Sequence, residues 1–358
     1  MRLSNIGQPS LLCLALCRLA LAQSQIIDID APDAGSKPGQ GTFAFSINAA
    51  GAITGNYIDA NYAQHGFVRS PTGVFTAFDP PGSWQTGVSS INAAGAITGN
   101  YDGRSEEHGF VRSPSGVFTR FDAPGPSTAG GINQAGAIVG YYTDITVLGH
   151  GFVRAPGGNI IIFDAPDAGT MSGLGTYAFA INAAGDIVGY FADASSANHA
   201  FLRTSPGAFT TIDAPGAGGP FQGTFAKSIN NAGAIAGYYI DARAVNHGFV
   251  RMPSGEFATF EAPGAGRNGT TAVGINEGGA VTGYYYDASF VVHSFLRDPS
   301  GTFTTFDAPG AGTTYKRGTF AAGINKEGLI MGYYLDASSV YHGFLRRPSQ
   351  AIVAEPRP

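Results

Sequence analysis

Apolar positions along this chain come in short runs of period two, broken by clusters of Gly, Pro, Asn and Ser. No segment holds a helical period. The runs themselves recur. Ile-Asn pairs stand at Ile47-Asn48, Ile91-Asn92, Ile132-Asn133, Ile181-Asn182, Ile229-Asn230, Ile275-Asn276 and Ile324-Asn325, spaced by 44, 41, 49, 48, 46 and 49 residues. Each copy continues as Gly-x-Ile-x-Gly-x-Tyr-x-Asp, a variable loop, His-Gly-Phe-Val-Arg, a Pro-Ser-Gly turn and Phe-Thr-Thr-Phe-Asp-Ala-Pro, with small variations. The pattern predicts four strands per copy, at 42–48, 52–59, 65–69 and 74–79 in the first. Asn48 to Gly51 and Pro71 to Gly73 suit tight turns, because Asn bonds its own backbone and Gly accepts a positive φ.

Four antiparallel strands in a repeat of about 46 residues is the arithmetic of a β-propeller blade, and a stacked β-helix would need a shorter and more even repeat. The predicted fold is therefore all-β: a seven-bladed β-propeller with four antiparallel strands per blade, filling residues 23–358 as a single domain. Residues 27–35 read as a fourth strand with no unit before them, while 350–356 is a degenerate version of the same phrase. The expected closure has the N-terminal strand completing the last blade and so removing an open edge. The alternative has residues 351–355 forming that strand and 23–35 left as an arm.

Composition adds a compartment. Residues 1–22 combine Arg2, an apolar run from Leu11 and a terminal Ala20-Leu21-Ala22, which reads as an export signal too short to span a bilayer. Both cysteines, Cys13 and Cys17, lie in it, so the chain after cleavage would have no disulfide, thiol nucleophile or Cys-based metal site. Cleavage would leave 18 basic against 25 acidic residues. That balance argues against nucleic acid as a partner. No later segment approaches transmembrane length, and the expectation is a secreted monomer without membrane insertion, extracellular, periplasmic or held at the cell surface.

The repeated phrase resembles the bacterial extracellular HAF-repeat proteins, named for a His-Ala-Phe triplet. His199-Ala200-Phe201 is that triplet and most other copies have His-Gly-Phe. The resemblance covers nearly all of the chain after the signal. It implies a secreted or cell-surface bacterial repeat protein and no particular reaction.

The residues that invite a catalytic reading are the repeated ones. All seven histidines, His65, His108, His150, His199, His247, His293 and His342, hold one repeat position, and Arg69, Arg112, Arg154, Arg203, Arg251, Arg297 and Arg346 follow four residues later. The Tyr-x-Asp acids (Asp59, Asp102, Asp144, Asp193, Asp241, Asp287, Asp336) and the acids before Ala-Pro (Asp30, Asp79, Asp122, Asp164, Asp213, Glu261, Asp307) recur as well. An active site is one place where different groups converge. A set present in every unit answers a need of every unit, so a structural network is expected, with His bonding a turn and Arg bridging to an acid. One Asp and one His flanking each short loop would make only a two-ligand cation site. No catalytic triad stands out, there is no Gly-x-Ser-x-Gly elbow, and no phosphate or dinucleotide loop implies a cofactor.

Function is then sought where the copies differ. Alternating strand direction puts the loop between strands two and three on the same face as the long loop after strand four, and loops on a rigid scaffold carry specificity. That face collects Trp84 and Gln85, the sequence Arg104, Glu106, Glu107, and Tyr315, Lys316, Arg317; Tyr62, Phe221, Phe290 and Tyr341 are further aromatic loop positions. In the first strands, the residue before Ile is small throughout, as crowding about an axis demands. The position before that varies as Phe45, Ser89, Gly130, Phe179, Lys227, Val273 and Ala322, so Lys227 is placed either at a channel mouth or between blades. The expected function is non-catalytic recognition of a glycan or protein through the variable face. The alternative is an extracellular carbohydrate-active enzyme, a polysaccharide lyase or glycosidase, which would require Arg104, Glu106, Glu107 and Lys227 to converge.

Overall fold

The computed structural model describes residues 25–104 and 106–348; the signal segment 1–22 and the alternative closing strand 351–355 lie outside the described residues. Every regular element among them is a β-strand. The first unit is Gly41–Ile47, Ile53–Ile58, Gln64–Arg69 and Phe75–Phe78, paired antiparallel in that order. Five further four-stranded units begin at Gln85, Ser127, Gly175, Gly223 and Thr270. The unit beginning at Gly318 has three strands of its own, and its fourth is Ile26–Asp28, antiparallel to Tyr341–Arg346. The hairpin after each first strand forms as its residues dictate: Asn48 Oδ1 accepts the N–H groups of Ala50 and Ala52 at 3.0 and 2.9 Å, and Gly51 takes φ 85°.

The seven Ile-Asn asparagines also perform a second task. Asn48 Nδ2 donates to the carbonyl of Asn92, Asn92 to Asn133, and so on through Asn182, Asn230, Asn276 and Asn325, which donates back to Asn48, at 3.1–3.4 Å. All seven side chains are buried. A closed ring of hydrogen bonds therefore ties the units about one axis, a β-propeller arrangement. Buried donors of this kind must be satisfied, and here each is satisfied by the next copy of itself.

The core is divided in the same way. Seven apolar clusters each bridge two neighbouring units, as in Val188, Ala200 and Ile212 of the unit starting at Gly175 against Ala226, Ile235 and Phe249 of the next. The Phe of every His-x-Phe triplet (Phe67, Phe110, Phe152, Phe201, Phe249, Phe295, Phe344) is fully buried.

Single parallel bridges stitch five of the seven junctions, joining the start of a third strand to the start of the next first strand: Gly149 with Gly175, Asn198 with Gly223, Asn246 with Gly269, Val292 with Gly318 and Tyr341 with Gly41. The glycines are required. A Cβ on Gly223 would lie 1.9 Å from the Asn198 carbonyl oxygen, and its φ is +117°. Among the described residues, the unit from Gln85 to Phe121 is bridged on neither side and stands as a separate four-stranded sheet. The cause is in the sequence, because Gln85 and Pro126 occupy the two positions where the other units have this glycine.

Candidate functional site

The repeated polar residues form seven near-copies of one structural unit. Each His is the second residue of a third strand and packs against an aromatic ring of the second strand, with centroids 4.7–5.2 Å apart; six are stacked, as His65 is on Tyr57, and His108 is tilted on Tyr101. Its Nδ1 meets the acid that precedes Ala-Pro: His65 with Asp79, His108 with Asp122, His150 with Asp164, His199 with Asp213, His293 with Asp307 and His342 with Asp30 at 2.7–3.0 Å, and His247 with Glu261. In six units Nε2 also lies 3.3–3.7 Å from the Tyr-x-Asp carboxylate. That carboxylate is itself occupied by its loop. Asp144 Oδ1 accepts the N–H of Thr146 at 2.8 Å and of Leu148 at 3.0 Å, and with the Thr146 hydroxyl these bonds lower its pKa to about 2. The expected turn contact is made by Asp, and the expected acid contact by His.

Arg was expected to bridge to an acid, and it does not. Five of the seven place the guanidinium 4.7–5.3 Å from a Phe ring in the preceding unit's last strand: Arg112 over Phe78, Arg154 over Phe121, Arg203 over Phe163, Arg297 over Phe260 and Arg346 over Phe306. Arg69 and Arg251 lack this ring because their neighbours have Ile29 and Ile212 there. The guanidinium is weakly hydrated and planar, so it can cover an aromatic face at the junction between units. Asp102 is a second correction. It follows Tyr101 directly, without the residue that stands between in the other six units, so it ends a strand opposite Glu107, where Ile58 faces Gln64 in the first unit, and makes no pair with His108.

The varying position of the first strands faces the axis. Pairing with the second strand slips by one residue at that position in all seven units, a β-bulge, as between Ala226 and Ser228. A bulge re-aims the extra side chain, and Phe45, Ser89, Gly130, Phe179, Lys227, Val273 and Ala322 all line the axial channel. The Lys227 ammonium sits 4.0 Å from the centroid of the Phe179 ring, and burial pushes its pKa down.

On the variable face the unbridged unit is flanked by two grooves. Nine to twelve residues separate the last strand of one unit from the next first strand at the other five junctions, but only six (79–84) and five (122–126) do so here. The groove before it, about 450 Å³, is lined by Asn61, Tyr62, Trp84, Gln85, Asp102 and Arg104. Trp84 is 72% and Tyr62 53% exposed. The indole is nonetheless anchored at its backbone, since Trp84 N–H donates to the Asp102 carbonyl at 2.8 Å. The groove after it, about 540 Å³, holds Glu106, Glu107, Asp122 and Asp144 beside Ile145 and Val147. Burial, with Asp102 nearby, raises the pKa of Glu107, and Asn100 Nδ2 donates to its carboxylate.

The predicted site residues are therefore sorted into separate places. Trp84, Gln85 and Arg104 share one groove, Glu106 and Glu107 the next, and Lys227 the axis. Tyr315, Lys316 and Arg317 tie their long loop to the two short loops beside it: Tyr315 packs on Phe290 at 5.5 Å, Lys316 N–H donates to the Phe290 carbonyl, and Arg317 donates to Ser339 Oγ at 2.7 Å. Tyr341 is not a free loop aromatic; its ring lies 4.2 Å from that of Phe43. The convergence of Arg104, Glu106, Glu107 and Lys227 that an enzyme would need is absent. Sequence reasoning missed Asn61, the place of Asp102 in the groove, and the groove itself, to which the loss of the bridging glycine at Gln85 was the available signal.

No family model and no curated protein matches this sequence. Among solved structures, a catalytically inactive histidine variant of virginiamycin B lyase from Staphylococcus aureus, solved with quinupristin, aligns with a TM-score of 0.58 at 15% identity, over 90% of this chain and 99% of that one. A streptogramin B lyase gives the same score and identity over 97% of its length. A lectin of Aleuria aurantia, solved with Fucα1-6GlcNAc, aligns at 0.47 and 14% identity, over 81% of this chain and 98% of the lectin. For the two lyases, at this identity, the likeness is one of fold.

Proposed function

We propose that this chain is a secreted or cell-surface repeat protein of the HAF type, folded as a closed seven-bladed β-propeller, that binds a glycan without transforming it. The groove between its first two blades is the binding site. One observation carries the reading: an exposed indole and phenol share a groove with planar hydrogen-bonding groups, Gln85, Asn61, Asp102 and Arg104, beside the one unit that, among the described residues, has no parallel bridge to its neighbours. A pyranose offers an apolar C–H face and a ring of hydroxyls. Aromatic faces take up the first, and amide, carboxylate and guanidinium edges pair with the second. Support for a binding role also comes from the chemistry that is already committed. Every histidine of the chain belongs to the repeated His–acid pair, which is present in every unit and not gathered at one place.

The test is a screen of glycans and polysaccharides that records both retention and product release, with Trp84→Ala as the control. Retention by wild type, lost in the variant and without oligosaccharide release, is the expected result. Release of oligosaccharide would instead establish a carbohydrate-active enzyme and overturn the non-catalytic reading.

A further inference from the structure

The axial channel holds a group that neither the repeat nor the groove explains. Of the seven bulged side chains aimed at the axis, only Lys227 is charged. Among the described residues no carboxylate lies within 4.0 Å of its ammonium, and the residues lining the channel include no Asp or Glu. Its one near neighbour of note is the Phe179 ring. A structural role would be served by any side chain that fits, since the other six copies are Phe, Ser, Gly, Phe, Val and Ala.

The bulged ring divides the channel. Towards the variable face it opens into a chamber of about 460 Å³, walled by aromatic rings that pack on one another. Tyr284 lies 5.5 Å from Phe320, and Phe320 5.1 Å from Tyr333. A lone cation at the floor of an aromatic chamber is costly until an anion reaches it, and both the charge pair and the apolar wall then favour the same ligand. The chamber has the volume of a small-molecule site. One ammonium, with no Arg fork and no second cation, suits a single negative charge better than a phosphate dianion.

We propose that the axial chamber is a second binding site, separate from the groove, which takes a small organic acid with an aromatic or similarly apolar body and a single carboxylate directed at Lys227.

Isothermal titration of the full chain with 2-naphthoate and its neutral isostere 2-naphthamide tests this. Wild type should bind the carboxylate at least about tenfold more tightly than the amide. Lys227→Met should erase that preference with the fold intact by circular dichroism. Ser89→Phe, which fills the axis from another blade, should weaken both compounds while leaving Lys227 in place. Trp84→Ala should change neither, so failure of the groove reading leaves this one standing. Equal affinity of wild type for acid and amide, a preference retained in Lys227→Met, or naphthoate binding undiminished in Ser89→Phe would each overturn the proposal.

Discussion

His342 Nδ1 lies 2.7 Å from Asp30 Oδ2, joining two residues 312 positions apart in the chain. In the other six units the equivalent partners are 14 residues apart and belong to one hairpin pair. The same local contact is thus used once as a clasp between the chain ends. Asp30 Oδ1 also accepts the Gly343 N–H at 3.1 Å. Asp30→Ala is expected to cost about 1–2 kcal/mol in urea denaturation, the scale of two partly exposed hydrogen bonds. Deleting residues 25–30 should cost more and uncover the edge of Tyr341–Arg346, which size-exclusion chromatography would register as association.

The asparagine ring should be sensitive at any member. Asn230 donates to Asn276 and accepts the Ala234 N–H at 2.9 Å, both in buried surroundings. Asn230→Ala leaves the Ala234 N–H unpaired and takes one of two donors from the Asn276 carbonyl, which keeps the Gly279 N–H at 3.0 Å, so stability should fall by about 1–3 kcal/mol. A loss no larger than that of an exposed asparagine would show that the ring does not bear on closure.

Gly223→Ala tests the stitch between blades. The new Cβ would have to move away from the Asn198 carbonyl, and the residue would be held at φ +117°, so a loss of about 2 kcal/mol or more is expected. Gln85→Gly, at the equivalent position of the open blade, should be tolerated within about 1 kcal/mol, since glycine accepts either sign of φ. If it allows the missing bridge to form, glycan retention should fall as the groove narrows.

Lys227 gives a pH signature. Burial holds its folded-state pKa below the ordinary lysine value, so the unfolded chain binds this proton more tightly. The resulting penalty is fully present below the folded-state pKa and fades as pH rises towards the ordinary value of about 10.4. Lys227→Met should therefore compare best with wild type at neutral pH and lose ground as pH is raised. Urea denaturation of both proteins at pH 7, 8, 9 and 10 measures the gap, and taking the difference removes the contribution of the shared buried tyrosines. A gap that does not change with pH would contradict a depressed lysine.

The architecture was legible because its signals are local and repeated. Strand bounds read from period-two patterning differ from those of the first unit by a residue, and the unpaired phrase at residues 27–35 pointed to the N-terminal strand as the closing element. One reading that missed concerns a relation between units. Arg112 was assigned an acid because its own strand offers no better partner; its partner, Phe78, belongs to the blade before it. Asp102, a miss within one unit, was misplaced because it follows Tyr101 directly: the register is that of the first unit, and the acid falls at the position of Ile58.

From sequence alone came the number of units, their four-strand order, the turns, and the inference that a polar set written seven times is structural. Those follow from chain-local chemistry: alternation on a strand, turn residues at fixed offsets, and repetition itself. Tertiary structure alone decided that Lys227 faces the axis, because a one-residue bulge reverses where a side chain points. It also decided that Trp84, Tyr62 and Arg104 share a groove, because only the assembled ring brings neighbouring loops together and leaves the blade at Gln85 unstitched.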